Sequence, residues 1–347
     1  MNKIDISSLV RENVKSLKPY SSARDEYQGT ASVYLDANEN PFDTGYNRYP
    51  DPQQLKLKEQ IAKIKNVHQN QILLGNGSDE PIDLLIRAFC EPHKDNVVIP
   101  QPTYGMYTVS ANINAVAIKT VNLTDDFDID VQALENTWDI NTKIIFLCSP
   151  NNPSGNLLTE RKIRQVLDKF DGLVVVDEAY IDFTSSAGFV PYLKDYNNLV
   201  ILQTLSKAWG LASLRLGICI AHVGVINVLN KIKPPYNISD LTQRVALEHL
   251  SKEALKNNWV KEILAEREVL QKQLLTIGFV EKIYPSDANF LLVKVKAAKE
   301  MYVKLVEKGI IVRDRSAVVL CDNCLRMTVG TKEENKELLA ALRDLIN

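Results

Sequence analysis

The sequence predicts an α/β protein built on a mainly parallel sheet, followed by a smaller α+β unit. Three observations carry that expectation. Between positions 72 and 221, short apolar runs rich in β-branched residues alternate with amphipathic stretches, the pattern of strands and helices in turn. Several of the runs, notably KIIFLC and GLVVVDE, lack the every-second-residue alternation of a half-exposed strand, as expected where helices cover both faces of a sheet. At KPPYNIS (233–239) two prolines interrupt the chain, and a different pattern follows. A length of 347 residues fits two domains at ~100–200 residues each.

The elements follow in order. Residues 1–34 read as an N-terminal arm with one short helix, since Ile6, Leu9, Val10, Val14 and Leu17 recur at helical spacing until Pro19 ends the pattern. The large domain, 35–239, has strands expected at 72–74, 97–99, 115–121, 144–148, 173–176, 199–202 and 216–221, with helices such as 79–90 and 159–170 between them. The small domain, 240–347, opens on a long helix at 241–275. A strand at 290–295, a helix at 299–307, short strands at 310–312 and 325–329, and a last helix from 332 complete it.

Composition excludes several classes of function. Lys plus Arg number 41 against 43 Asp plus Glu, a net charge of −2 with no basic block, which argues against nucleic acid and anionic membranes as partners. No apolar run approaches the ~18 residues of a membrane span. The opening MNKIDISSLVRENVK has no apolar signal core, so a cytoplasmic protein is expected. The five cysteines (90, 148, 219, 321, 324) are odd in number and scattered, unlike a disulfide framework. Cys321 and Cys324 form a CxxC, but no second CxxC or His pair completes a zinc site, and no metal is expected.

The chemistry is suggested by polar residues placed directly after apolar strands, where ligands collect in parallel sheets. IIFLC leads into Ser149-Pro150-Asn151-Asn152, LVVV into Asp177-Glu178-Ala179-Tyr180, and LVILQ into Thr204-Leu205-Ser206-Lys207. A carboxylate after four apolar residues is costly to bury without a cation. A lysine in the same layer can form a Schiff base with an aldehyde. An aldehyde on a pyridine ring would account for the acid too, because a carboxylate facing the ring nitrogen keeps it protonated. Tyr180 and Asn152 then suit the ring's phenolic oxygen, Arg215 a phosphate, and Thr204 and Ser206 offer hydroxyls beside it. In Gly75-Asn76-Gly77-Ser78-Asp79-Glu80 a Ser opens a helix after glycines, the form of a backbone anion site. Taken singly, a surface acid or an ordinary capped helix would show the same residues.

Together these segments carry a family resemblance. SPNNPSG, VVVDEAY and TLSKAWGLASLRLG are similar to the fold-type I aminotransferases that use pyridoxal 5′-phosphate, and within them to the histidinol-phosphate aminotransferases of histidine biosynthesis. LDANENPF (35–42), RYPDP (48–52), LLGNGSDE (73–80), PTYGMY (102–107), DANFLLV (287–293), GIIVRDRS (309–316) and CLRMTVGT (324–331) extend the match in family order. The resemblance implies that Lys207 holds the cofactor and moves the proton, that Asp177 pairs with the pyridinium nitrogen, and that Tyr180 and Asn152 contact the ring oxygen. It implies Tyr104 stacked on the ring, and Ser78, Asp79 (through its N–H), Ser206 and Arg215 around the phosphate. Tyr49 would reach the cofactor of a second subunit, making the active unit a homodimer. Arg326, with Arg313 and Tyr20, would receive the anionic group of histidinol phosphate or of glutamate and 2-oxoglutarate. In a strand at 325–329, Arg326 and Thr328 share one face and Leu325, Met327 and Val329 the other, so the arginine face would meet the cleft. A phospho-amino-acid decarboxylase and a broad aromatic aminotransferase would share the cofactor residues. A non-enzymatic regulator built on such a domain fits less well, because every catalytic position is filled.

Overall fold

A computed structural model describes residues 4–19 and 31–345. All seven strands expected between 72 and 221 are present: β1 (Ile72–Asn76), β2 (Asn96–Gln101), β3 (Ala117–Asn122), β4 (Thr142–Cys148), β5 (Leu173–Asp177), β6 (Leu199–Thr204) and β7 (Leu216–Ala221). They form one sheet in the order β1-β7-β6-β5-β4-β2-β3. β2 to β6 pair parallel with their neighbours from this set, while β7 runs antiparallel to both β1 and β6.

β5, β6 and β7 are buried from end to end, and their side chains divide strictly between two cores. Val174, Val176, Leu199, Ile201, Ile218 and Ile220 face one side, where the helices Leu55–Lys65, Glu160–Lys169 and Asp240–Leu250 contribute Ile61, Ile163 and Ala246. Leu173, Val175, Val200, Leu202, Cys219 and Ala221 face the other, against Leu85 of Asp79–Phe89, Ala111 of Met106–Ile113 and Ile226 of Val223–Ile232. Two helix layers therefore account for the unbroken apolar runs in the sequence. The edge strand β3 is largely exposed.

The second sheet holds β8 (Val280–Ile283), β9 (Phe290–Val295), β10 (Arg313–Asp314) and β11 (Cys324–Thr328), antiparallel throughout in the order β10-β11-β9-β8. Leu291, Val293, Leu325 and Met327 point into a separate core with Leu274, Leu305 and Leu342 from three helices. The last helix, Lys332–Asp344, opens on a capping box: Thr331 Oγ1 accepts from the Glu334 N–H (3.2 Å) and Glu334 Oε2 from the Thr331 N–H (2.7 Å). A fourth apolar group, Tyr180, Phe183 and Ala208 against Val260, Ala288 and Phe290, joins the two units.

Four expectations need correction. The long helix at 241–275 is two helices, Asp240–Leu250 and Glu253–Leu274, because Ala246 and Leu250 enter the first core while Leu270 and Leu274 enter the second. One straight rod could not serve both, and the Lys252 N–H turns back to the His249 carbonyl (2.9 Å) at the break. The arm carries two single turns, Ile6–Leu9 and Glu12–Lys15, whose Ile6, Val10 and Val14 pack on the second face of the large sheet. The strand expected at 115–121 starts at Ala117, since Ala115 adopts a left-handed φ of 51° after the preceding helix. At 310–312 no ladder forms; pairing begins at Arg313, and Ile310 and Val312 pack against the second core. β8 was not anticipated, because Val280–Ile283 carries two charges in four residues.

Candidate active site

The parallel arrangement brings the carboxyl ends of β1, β4, β5 and β6 to one edge, and β7 starts there. A cleft opens at this edge. Ser78, Asp79, Tyr104, Asn152, Asp177, Tyr180, Thr204, Ser206, Lys207 and Arg215, all anticipated from sequence, line it together with Gly77, Cys148 and Ala179. The second unit meets the loop after β4 through Asp287: the Asp287 N–H donates to the Gly155 carbonyl (2.7 Å), and Asp287 Oδ2 accepts from the Leu157 N–H (2.9 Å).

Asp177 ends β5 and is only 2 % exposed. Burial pushes its carboxyl up to about 6, against the Tyr107 hydroxyl and the Ala179 N–H, which favour the carboxylate. Tyr107 O–H donates to Oδ2 at 2.6 Å and the Ala179 N–H to Oδ1 at 3.1 Å. Among the described residues no lysine or arginine forms an ion pair with it, although the nearby Lys207 charge favours its carboxylate. Lys207 follows β6 and reaches the cleft with Nζ 5.6 Å from the Tyr180 ring centre. The protein around it, then the Arg326 and Arg215 charges, lower its ammonium from the usual value, while Asp177 and Asp79 pull the other way. Tyr180 is buried edge-on against Phe290 (5.1 Å). Burial pushes its phenol up, Cys148 and Asp177 add to the rise, and Arg326 and Arg315 oppose it.

At the β1 end the chain is built for close approach. Gly77 has φ +69°, and a Cβ there would stand 2.6 Å from Arg215 Nη2. A Cβ on Gly217 would meet the Gly77 backbone at 2.2 Å. The loop thus sits flush on β7, with Ser78 free of any side-chain cap bond and Arg215 beside it. The Asp79 side chain, for which sequence alone offered no expectation, accepts from Tyr104 O–H (3.0 Å) and pairs with Arg215 Nη2 (3.5 Å). The Thr204 hydroxyl donates to the Leu216 carbonyl (3.3 Å) and accepts the Ser206 N–H (3.1 Å), fixing the turn before Lys207.

On the second unit Arg326 crosses the cleft and donates through Nη1 to Asn152 Oδ1, its guanidinium 5.3 Å from the Phe290 ring centre. Burial, chiefly, lowers the Arg326 guanidinium from its usual value. Arg313 stands opposite it across the β10–β11 ladder and is exposed. Tyr49 is outside the cleft of its own chain, stacked on Tyr236 at 4.6 Å between ring centres. Tyr20 lies outside the described residues. Cys321 and Cys324 are free, fully buried thiols that pack in the first core.

Sequence reasoning missed Tyr107. It is fully buried, stacked on Phe146 at 4.8 Å, and burial, then Asp177, hold its phenol well above the usual value, so it is the donor in the short bond to Asp177. A tyrosine on the buried face of a helix, beside Ser110 and Ala111, was the available signal. In Tyr107→Phe, loss of a hydrogen bond that favours the charged form is expected to move the Asp177 titration to higher pH in cofactor-free protein. Carbon-13 NMR of labelled aspartate reads this directly, and an unmoved titration would remove Tyr107 from the site.

Comparison with known proteins agrees with this geometry. The family described as aminotransferase class I and II matches residues 28–342. The chain is 56% identical to a histidinol-phosphate aminotransferase of Flavobacterium johnsoniae over 99% of each chain. It is 55% identical to one from Parabacteroides distasonis, over 98% of this chain and 99% of the relative. The crystal structure of the histidinol-phosphate aminotransferase from Clostridium acetobutylicum, 23% identical, shares the fold with a TM-score of 0.78 over 87% of this chain and 91% of that one. With one sheet edge carrying the lysine, the buried acid and the arginine, and relatives matching over the whole length, the chain belongs to the class I and II aminotransferases, in the group of the histidinol-phosphate aminotransferases.

Proposed function

We propose that the protein uses pyridoxal 5′-phosphate to transfer the amino group between histidinol phosphate and 2-oxoglutarate. The observation that carries this reading is the convergence of Lys207 and the unpaired, buried Asp177 on adjacent strand ends, in a chain 56% identical to a named histidinol-phosphate aminotransferase. The cleft suits the cofactor on three counts: a buried carboxylate with no ion pair among the described residues, a glycine loop with no room for a Cβ beside Arg215, and an amine made less basic by its surroundings. When bound, the cofactor supplies an aldehyde that exchanges amines and a protonated ring that withdraws electrons from the substrate Cα.

The chain's own residues divide the remaining work. Arg215, Ser78, Ser206, Thr204 and the helix start at Asp79 hold the phosphate. Asp177 keeps a proton on the ring nitrogen, and Tyr180 and Asn152 orient the ring oxygen, with Tyr104 against the ring face. Lys207 Nζ would hold the cofactor and would move the proton between the substrate Cα and the cofactor C4′. Arg326, aided by Arg313 and Tyr20, receives the distal anion, and a guanidinium fork accepts phosphate or carboxylate alike. The same reading has a homodimer with Tyr49 contributed across the interface, in the cytoplasm. Among the described residues no helix is long and apolar enough to cross a membrane.

A competition test decides the substrate. With histidinol phosphate, phenylalanine and threonine phosphate offered together to the holoenzyme and 2-oxoglutarate, glutamate is expected to form chiefly at the expense of histidinol phosphate. Glutamate alone should convert the bound cofactor to its amine form. Release of CO₂ without glutamate formation would point to a decarboxylase, and a preference for phenylalanine to a broad aromatic aminotransferase.

A further inference from the structure

The rim of the cleft carries more positive charge than Arg326 and Arg313 explain. β10 pairs with β11 so that Arg313 faces Arg326, and the ladder runs one step further, the Arg315 N–H donating to the Cys324 carbonyl at 2.9 Å. Residues two apart on a strand share a face. Arg313, Arg315 and Arg326 therefore stand on one side of this ladder. On the opposite side Leu325 enters the second core, and the Asp314 carboxylate turns away to accept from the Ser316 N–H (2.8 Å) and hydroxyl (2.6 Å).

The arginine side looks across at the first sheet. Arg326 reaches Asn152, and the Arg315 charge acts with that of Arg326 on the Tyr180 phenol. Arg315 is half-buried, and its Nε is shielded from solvent with no hydrogen-bond partner. Burial and the Arg326 and Arg313 charges lower its guanidinium from the usual value. Among the described residues no carboxylate pairs with any of the three arginines. The half-buried guanidinium groups of Arg315 and Arg326, collected with the exposed Arg313 and without an anion, cost free energy, and an anion that accepts from several forks at once removes that cost.

We infer that Arg315 is a specificity-determining residue that grips the substrate phosphate together with Arg326, and that it favours a phosphate over a carboxylate. The chemistry follows from acceptor count. A carboxylate offers two oxygens and one charge, which a single fork satisfies. A phosphate ester carries about −1.5 to −2 charge at neutral pH and three acceptor oxygens, enough for a second fork. This inference rests on the proposed reaction with histidinol phosphate.

The test compares wild-type and Arg315→Gln holoenzyme with histidinol phosphate, histidinol and glutamate. For histidinol phosphate, kcat/KM is expected to fall ~10- to 100-fold, mostly through KM, as for a lost charge-assisted hydrogen bond. The values for histidinol and glutamate should fall far less, so the preference for the phosphorylated substrate shrinks. Arg315→Lys should recover part of it. The rise in melting temperature that inorganic phosphate gives the holoenzyme should be smaller in Arg315→Gln, while the variant without phosphate melts no lower than wild type, having lost no internal bond. If wild type prefers histidinol phosphate and Arg315→Gln keeps that preference, the inference fails and the proposed function stands. An equal loss with all three substrates and a lowered melting temperature would show a structural role and also overturn it. A wild type without preference for the phosphate overturns the proposed function, and the inference with it.

Discussion

Lys207→Ala is expected to lose turnover by ~10⁴-fold or more, while the cleft still binds the cofactor. The lysine follows β6, and the turn that presents it is fixed by the Thr204 hydroxyl rather than by any bond of its own side chain. Removing the side chain therefore leaves the anion pocket at Gly77, Ser78 and Arg215 and the buried acid at Asp177 in place. What disappears is the one lysine among the described residues that line the cleft, along with the group that would carry the Cα proton. Borohydride should fix the cofactor to Lys207 in the wild type and to no residue in the variant. Peptide mapping that found the label on another lysine would overturn the assignment. Added methylamine should restore part of the rate, since a small amine can occupy the space vacated by the side chain.

How much of this was legible in the sequence depended on whether a feature was local. The strands of the large sheet were readable because a run such as Leu173-Val174-Val175-Val176 has no other stable place than between two helix layers. The residues that follow those strands were readable because a parallel sheet places all its carboxyl ends at one edge, so Asp177, Thr204 and Lys207 had to converge. Non-local features were hidden. The break at Ser251–Lys252 arises from two cores pulling one helical stretch in different directions, and helix propensity along Leu241 to Leu275 gives no sign of it. Tyr107 was hidden for a similar reason: only the tertiary fold, which stacks its ring on Phe146 of β4, brings its hydroxyl to Asp177. Arg315 looked like one charged residue among many in VRDRS. Its significance comes from the antiparallel register that stacks it beside Arg313 and Arg326.

Asp177→Asn should separate two effects of opposite sign. The substitution keeps shape and removes charge, so the ring nitrogen loses the carboxylate that keeps it protonated. With that electron withdrawal weakened, kcat is expected to fall ~10²–10³-fold or more, with a much smaller change in KM, as for an interaction made in the transition state. A variant with near-native kcat would remove Asp177 from the mechanism. In cofactor-free protein the same change should stabilise. Burial raises the Asp177 carboxyl from 3.8 to about 6, so the acid is held against its preference to ionise. A raised folded-state value means the stability contribution is complete below about pH 3.8 and lost as pH rises through about 6. At pH 8 the loss amounts to ~3 kcal/mol by the usual conversion of pKa to free energy. Asparagine carries no charge to bury and avoids that loss. Cofactor-free Asp177→Asn should therefore melt higher than wild type at pH 8 and no higher at pH 4. Glu178, which burial raises to about 7, keeps a residual slope of the same sign in both proteins. Saturating cofactor should reverse the order at pH 8, because the wild type gains a pyridinium partner for its carboxylate and the variant does not. Melting curves at the two pH values, with and without cofactor, test both signs. Higher stability of the cofactor-free wild type at pH 8 would mean that the Tyr107 and Ala179 hydrogen bonds outweigh the cost of burying Asp177.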